Sequence, residues 1–130
     1  MRTTAGALTL ALAAALGPLA QADEVAEETF IAGSAGQVAD LCAAADETSL
    51  DRYALGFCYG WLEGVGQLYE SMVASGSIQP QKITCPGRDL SRKEWADVMV
   101  DWVNADPARR DLAPLTALGE AAKAAFPCPK

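Results

Sequence analysis

Four cysteines constrain this 130-residue chain more than any other feature of its sequence. Cys42, Cys58, Cys85 and Cys128 are an even number in a short chain, a pattern typical of disulfides in exported proteins. The other common use of such residues is a zinc site, but the chain has no C-x-x-C pair and no histidine, so the usual zinc ligand sets cannot form. We therefore predict two disulfides, no metal and no cofactor.

The order of the cysteines allows three ways of pairing them, of which we favour Cys42–Cys58 with Cys85–Cys128. The first two lie on the apolar faces of consecutive predicted helices, which must pack together. The other two adjoin prolines at irregular ends, where the backbone can adjust to the geometry of a bridge. In the chain-entropy model these loops contribute about 3 and about 4 kcal/mol to stability. We therefore expect structural bridges and not redox-active ones.

The N-terminus has the layout of a cleaved secretory signal peptide, which we predict over residues 1–22. Arg2 gives a positive start, residues 5–16 are an uncharged run rich in Ala and Leu, and an A-x-A cleavage signal ends the segment. The apolar run is shorter than the roughly 20 residues that a membrane-spanning helix needs. We expect a periplasmic mature domain at residues 23–130, without insertion in the membrane.

The net charge of the chain limits the classes of molecule that it can bind. The formal net charge is −7, and it becomes −8 when Arg2, the one charged residue of the leader, is removed. A negative field repels phosphate backbones and anionic headgroups, so we expect neither nucleic acid nor lipid as a partner. The same field speeds encounter with a basic protein surface. Solubility alone is the competing explanation of this acidity.

Apolar residues recur at helical spacing in four segments of the mature chain, and alternation with a period of two is absent. The predicted helices cover residues 34–45, 53–73 with a start near Ser49 or Asp51, 91–104 and 112–125. Ser91 and Glu94 form an S-x-x-E capping box before the third helix, and residues 74–90 have the composition of a loop. We predict an all-α, four-helix domain with two disulfides.

Three glycines lie within the long second helix at intervals of four residues. Gly56, Gly60 and Gly64 each cost a helix interior roughly 1 kcal/mol relative to alanine, so a close approach should compensate. Tight packing inside the domain is the explanation we favour, and contact with a second copy of the chain is the alternative.

The sequence lacks the residues that most catalytic sites need. Without histidine, Ser-His-Asp and Cys-His arrangements cannot form, and the chain has no P-loop and no G-x-S-x-G motif. Ser91 and Lys93 have the spacing of a helix cap, not of an S-x-x-K nucleophile. Asp97 and Asp101 lie opposite the tryptophan face of their helix, where we expect solvent. We predict a binding protein and not an enzyme.

Several motifs together resemble a known family. They are F-I-A-G at residues 30–33, F-C-Y-G-W-L-E-G-V at 57–65, C-P at 85–86 and A-A-K-A-A-F-P-C at 121–128. In this combination the chain is similar to the Rap/Tai group of periplasmic immunity proteins over residues 30–128. Trp61 stands where a tyrosine or a similar ring is expected. The cysteine pairing of that group, carried onto this chain, agrees with the pairing favoured above.

The resemblance implies a protein that binds a peptidoglycan-cleaving amidase, delivered into the periplasm by type VI secretion, and blocks its active-site cleft. Protection by binding alone requires a Kd near the nanomolar range, about −12 kcal/mol. Members of the group dimerise, so the resemblance also implies a homodimer.

Two loops are candidates for the segment that would enter the effector, residues 104–112 and 74–82. The candidate partner-binding residues of the first loop are Asn104, Asp106, Arg109, Arg110 and Asp111. Arginine is favoured at interface hot spots, so Arg109 and Arg110 could anchor a partner, and two solvated surface arginines are the alternative.

Two other functions compete with immunity. A periplasmic acid-stress chaperone of the Hde type is also small, helical and disulfide-bonded. Such a chaperone loosens at low pH, and without histidine its switch would depend on carboxylates alone, which disfavours it. A secreted enzyme of unknown type is the third hypothesis, and no set of residues suited to general acid–base catalysis supports it.

Overall fold

The computed structural model describes residues 25–81 and 83–129, and the predicted leader at residues 1–22 lies outside these ranges. Within them, the structure consists of four α-helices and no strand: α1 Ala35–Cys42, α2 Ser49–Ala74, α3 Arg92–Asn104 and α4 Pro114–Ala125. Two short 3-10 turns, Glu27–Ile31 and Pro107–Asp111, precede α1 and α4. The predicted all-α, four-helix class is confirmed.

Capping side chains determine where α2 and α3 begin. The Ser91 hydroxyl accepts from the Glu94 amide while the Glu94 carboxylate accepts from the Ser91 amide, which confirms the predicted capping box. The predicted cap of α2 was wrong, because Thr48 is the N-cap and not Ser49 or Asp51. Asp51 is instead the reciprocal partner, and its carboxylate accepts from the Thr48 amide at 2.9 Å.

Two helix ends differ from the prediction by more than one residue. α1 ends at Cys42, three residues before the predicted limit, and α4 begins at Pro114, two residues after it. Pro114 occupies the first turn of α4, where its fixed φ suits a helix and its missing N–H leaves no bond unmade. Residues 112 and 113 before it are extended, as a residue that precedes proline tends to be.

The shortest helix, α1, forms the centre of the core. Six of its eight residues are buried, and it contacts all three other helices and both 3-10 turns. Leu41 and Val38 are its largest fully buried side chains, and Met99 and Val103 of α3 are fully buried as well. Small residues elsewhere on α1 allow neighbouring segments to surround it at close range.

The 26-residue α2 is at least twice as long as each of the other three helices and extends beyond the core. At 1.5 Å per residue it measures about 39 Å, whereas α3, the next longest, measures about 20 Å. Only Ala54 and Cys58, both in its first half, are buried. No helix in the part of the chain that the structure describes is long and apolar enough to cross a membrane.

The glycine stripe of α2 is not packed inside the domain. A Cβ atom placed on Gly56, Gly60 or Gly64 would meet nothing within 4 Å. All three residues are exposed, on the side of α2 opposite the buried Ala54 and Cys58. The expectation of tight internal packing was therefore wrong, because the periodicity shows which residues share a face but not what covers it.

The open surroundings of Gly60 lead to a testable prediction. Replacing Gly60 by alanine is expected to raise the free energy of unfolding by about 0.5–1 kcal/mol. The reason is that alanine loses less backbone entropy than glycine when the chain folds into a helix. Thermal unfolding of dilute protein measures the effect. Gly36→Ala is the control, since its Cβ would lie 3.1 Å from the Cβ of Arg110 and should gain nothing. A lower stability of Gly60→Ala would contradict the open environment.

The two predicted disulfides, Cys42–Cys58 and Cys85–Cys128, are confirmed, with Cα atoms 5.2 and 4.9 Å apart. The first joins the end of α1 to α2. The second joins the segment before α3 to the residues after α4, where the Cys85 amide also donates to the Phe126 carbonyl at 2.9 Å. One bridge therefore links the first two helices, and the other links the segments that flank α3 and α4.

The cap of α3 makes part of the stability dependent on pH. The hydrogen bond from Arg88, followed by those from Ser91, lowers the pKa of Glu94 from 4.5 to about 2. Because the folded-state pKa lies below the unfolded one, the ionised carboxylate stabilises the fold above about pH 4.5, and this contribution disappears as the pH falls towards 2.

We therefore expect Glu94→Gln to be less stable than the parent above about pH 5, with the gap closing between pH 4.5 and 2. Glutamine retains an acceptor for the Ser91 amide, so the comparison isolates the charge. Thermal melts across this range measure the gap. A constant gap down to pH 2 would show that the charge of Glu94 contributes nothing.

Candidate partner-binding surfaces

The first predicted binding loop is a short ordered turn. Residues Pro107–Asp111 form a 3-10 turn, and the Asp106 carboxylate caps it by accepting from the Ala108 amide at 3.0 Å. On its far side, the Leu112 carbonyl accepts from the Ala35 amide at 2.9 Å. The Asp106 cap orders the turn itself, and the Leu112 carbonyl attaches its far end to the start of α1.

Arg110 ties this loop to α1. Its guanidinium donates to the Asp40 carboxylate at 2.7 Å and to the Asn104 side-chain carbonyl at 2.9 Å. The Arg110 side chain passes over Gly36, where any Cβ would lie within about 3.1 Å of it. Glycine at this buried position allows the close approach.

Arg109 makes a second tie, to α3. It donates to the Trp102 carbonyl at 2.7 Å, and its guanidinium carbon lies 4.1 Å from the centroid of the Trp102 ring, a cation–π contact. The side chains of Arg109 and Arg110 are 32% and 38% exposed, so each is partly engaged within the fold. Of the five candidate residues, Asn104, Asp106 and Asp111 are the ones classed as exposed.

The second predicted loop, residues 74–82, is held against α2, and Lys82 lies outside the described residues. The Tyr69 hydroxyl donates to the Gln81 carbonyl at 3.0 Å and accepts from the Gln81 amide at 2.9 Å. The chain therefore turns back after Ala74 and runs beside the helix that it has just left.

An apolar groove, which the sequence analysis did not predict, lies between the second half of α2, the returning chain, the start of α3 and α4. Its volume is about 660 Å³. Its apolar lining consists of Leu62, Val65, Tyr69, Ile83, Leu90, Trp95, Leu115, Leu118 and Ala122. The groove is open to solvent, as Leu115 is 59% and Ile83 42% exposed. The apolar stripe that continues along α2 past Cys58 was the one sequence signal for it.

The described residues offer few groups for chemistry. None of their His, Cys, Asp and Glu side chains form a cluster suited to a metal, and all four cysteines are in disulfides. Asp97 and Asp101 are exposed, as predicted, and the Lys93 ammonium contacts the Asp97 carboxylate at 2.8 Å. The features that stand out in this structure are the ordered loop and the apolar groove, and both are suited to binding.

The family model of Rap1a immunity proteins matches residues 34–128. The matched range begins at Ser34, the N-cap of α1, and ends at Cys128, so it coincides with the cross-linked helical body. Searches of curated proteins and of solved structures returned no match. Because the match covers most of the chain and the whole disulfide-linked body, this protein belongs to the Rap1a immunity protein family.

Proposed function

We propose that this protein is a periplasmic immunity protein that inhibits a peptidoglycan-cleaving amidase effector of type VI secretion by occluding its active site. Membership of the Rap1a immunity family is the observation that carries the proposal, since immunity proteins in general act by binding an effector and not by catalysis. Two disulfides in a chain of this size favour an oxidising compartment, and residues 1–22 would serve as the leader that directs it there.

The loop at residues 104–111 is the segment that we propose for the effector cleft. Ties from Arg110 to Asp40 and from Arg109 to Trp102 order this loop before any partner binds. An ordered loop loses little conformational entropy on binding, which favours the tight affinity that inhibition demands. In this proposal the arginines hold the loop, while Asp106 and Asp111 contact the effector.

Protection of cells is the direct test. The protein is expressed in a Gram-negative host together with a candidate amidase effector directed to the periplasm, and lysis is followed with and without residues 1–22. We expect the full chain to prevent lysis and the leaderless chain to fail. Lysis with the full chain present would refute the immunity proposal for that effector.

A charge reversal tests the loop separately. Asp111→Arg, at an exposed position of the loop, is expected to weaken protection and effector binding. Glu47→Arg makes the same change of charge at an exposed position between α1 and α2, and should protect like the parent. Equal protection by both variants would leave immunity in place and remove the loop from the interface.

We also propose that the protein forms a homodimer through the outer face of α2. Gly56, Gly60 and Gly64 leave this face open to close approach, and Tyr53 on the same face is 65% exposed. Sedimentation should show a dimer that Gly60→Leu dissociates. Gly66→Leu, on the groove side of the same helix, should leave it intact. A monomeric parent protein contradicts this proposal.

A further inference from the structure

We propose that the groove between α2 and α4 is a second docking site, and that it takes a basic amphipathic helix of a partner protein. The proposal rests on the binding function proposed above but does not involve the loop at residues 104–111. It follows from the length of α2, the chemistry of the groove and the charges around it.

The length of α2 explains why the groove remains open. α2 is twice as long as α3 and three times as long as α1, so the core helices cannot cover its second half. Apolar residues nevertheless continue there at helical spacing, and Leu62, Val65 and Tyr69 face the groove. Within the described residues no segment fills the groove.

The construction of the groove favours a helix as its occupant. Three of its four walls are α-helices, whose backbone groups are bonded within the helix and offer no edge to a strand. Recognition must therefore come from side chains that enter the groove from a partner with a continuous apolar face. Trp95 and Leu118 provide apolar surface in α3 and α4, and Leu115 lies at the start of α4. An amphipathic helix presents such a face, with side chains at intervals of three and four residues.

The charges at the groove favour a basic partner. Glu70 lines it and makes no ion pair within the described residues, whereas Glu63 lies 3.4 Å from Arg92. α2 has no basic residue in its last turn, so nothing on α2 compensates the negative end of its dipole beside Glu70. The chain as a whole has a net charge of −7, which steers a cationic partner towards it. A lysine or arginine next to the apolar face of the partner would pair with Glu70.

Binding of two synthetic peptides to the disulfide-bonded mature protein tests the proposal. One is an amphipathic helical peptide of about 14 residues with leucine on one face and lysine on the other, and the second has glutamate in place of lysine. Fluorescence anisotropy measures the affinity of each. We expect the Leu/Lys peptide to bind at least about tenfold more tightly.

Two pairs of variants locate the site. Leu115→Asp lies in the groove and Leu68→Asp outside it, and both leucines are 59% exposed in the parent. We expect Leu115→Asp to weaken binding of the Leu/Lys peptide by about tenfold or more, and Leu68→Asp by less than about twofold. Glu70→Lys should weaken it by about fivefold, whereas Glu47→Lys, with the same change of net charge, should not. Circular dichroism confirms that each variant is folded.

Three outcomes would overturn the proposal. Equal binding of the two peptides would remove the requirement for a basic partner. Equal losses of affinity for the Leu/Lys peptide in Leu115→Asp and Leu68→Asp would indicate non-specific binding. Self-association that Leu115→Asp abolishes in sedimentation would show that a second copy occupies the groove. None of these outcomes bears on protection against an effector, so the groove and the immunity function can fail independently.

Discussion

Replacing Cys85 and Cys128 together by alanine is expected to lower the free energy of unfolding by about 4 kcal/mol. This bridge closes a loop with a sequence separation of 43, and opening it returns that entropy to the unfolded chain. The expected loss is a large share of the 5–15 kcal/mol that stabilises a typical small domain. Urea unfolding of the double variant and the oxidised parent at one pH measures it.

A neighbouring contact supplies the control for this experiment. The Thr84 hydroxyl lies 3.1 and 3.0 Å from the carbonyl oxygens of Ala122 and Phe126, so it also joins the segment before α3 to α4. Thr84→Val removes this contact and keeps the bridge, and should cost about 1 kcal/mol. If the double cysteine variant loses no more than Thr84→Val, the bridge does not stabilise the fold through its loop.

Leu41→Ala is expected to destabilise the protein by about 2–5 kcal/mol. Leu41 is fully buried in α1, the helix that every other element surrounds, so the cavity cannot close without moving several elements at once. Chemical unfolding monitored by circular dichroism gives the value.

The matched control is Leu68→Ala in α2. Leu68 is 59% exposed, and its truncation should change stability by less than about 0.5 kcal/mol. Equal losses in the two variants would mean that Leu68, in the second half of α2, is buried in solution. The experiment therefore also tests whether the short helix, and not the long one, carries the stability of the domain.

Local features of the sequence were sufficient to predict the helices and their number. Apolar periodicity located all four, and the Ser91–Glu94 box located the start of α3, because a capping box depends on residues three apart. The sequence left three cysteine pairings open, and the one that we favoured is confirmed, with Cys42 and Cys58 joining helices that are consecutive in the chain. Predictions based on near neighbours were correct, apart from shifts of one to three residues at helix ends.

Interactions between distant segments could not be predicted in this way. Arg110 was a candidate contact for a partner, and its ion pair with Asp40, 70 residues earlier in the chain, was not predicted. The glycines of α2 were expected to pack inside the domain, yet they lie on its open side. Neither outcome is encoded within one helix, because both depend on which elements the fold brings together.

The groove also separates what the sequence determines from what the tertiary structure determines. Sequence alone determined that α2 is long, that its apolar stripe continues past Cys58 and that four cysteines link the chain into one small domain. Only the tertiary structure decided that α1 occupies the core and that the second half of α2 remains uncovered. The physical reason is that periodicity specifies the apolar face of a helix, whereas the lengths and positions of its neighbours determine how much of that face is buried.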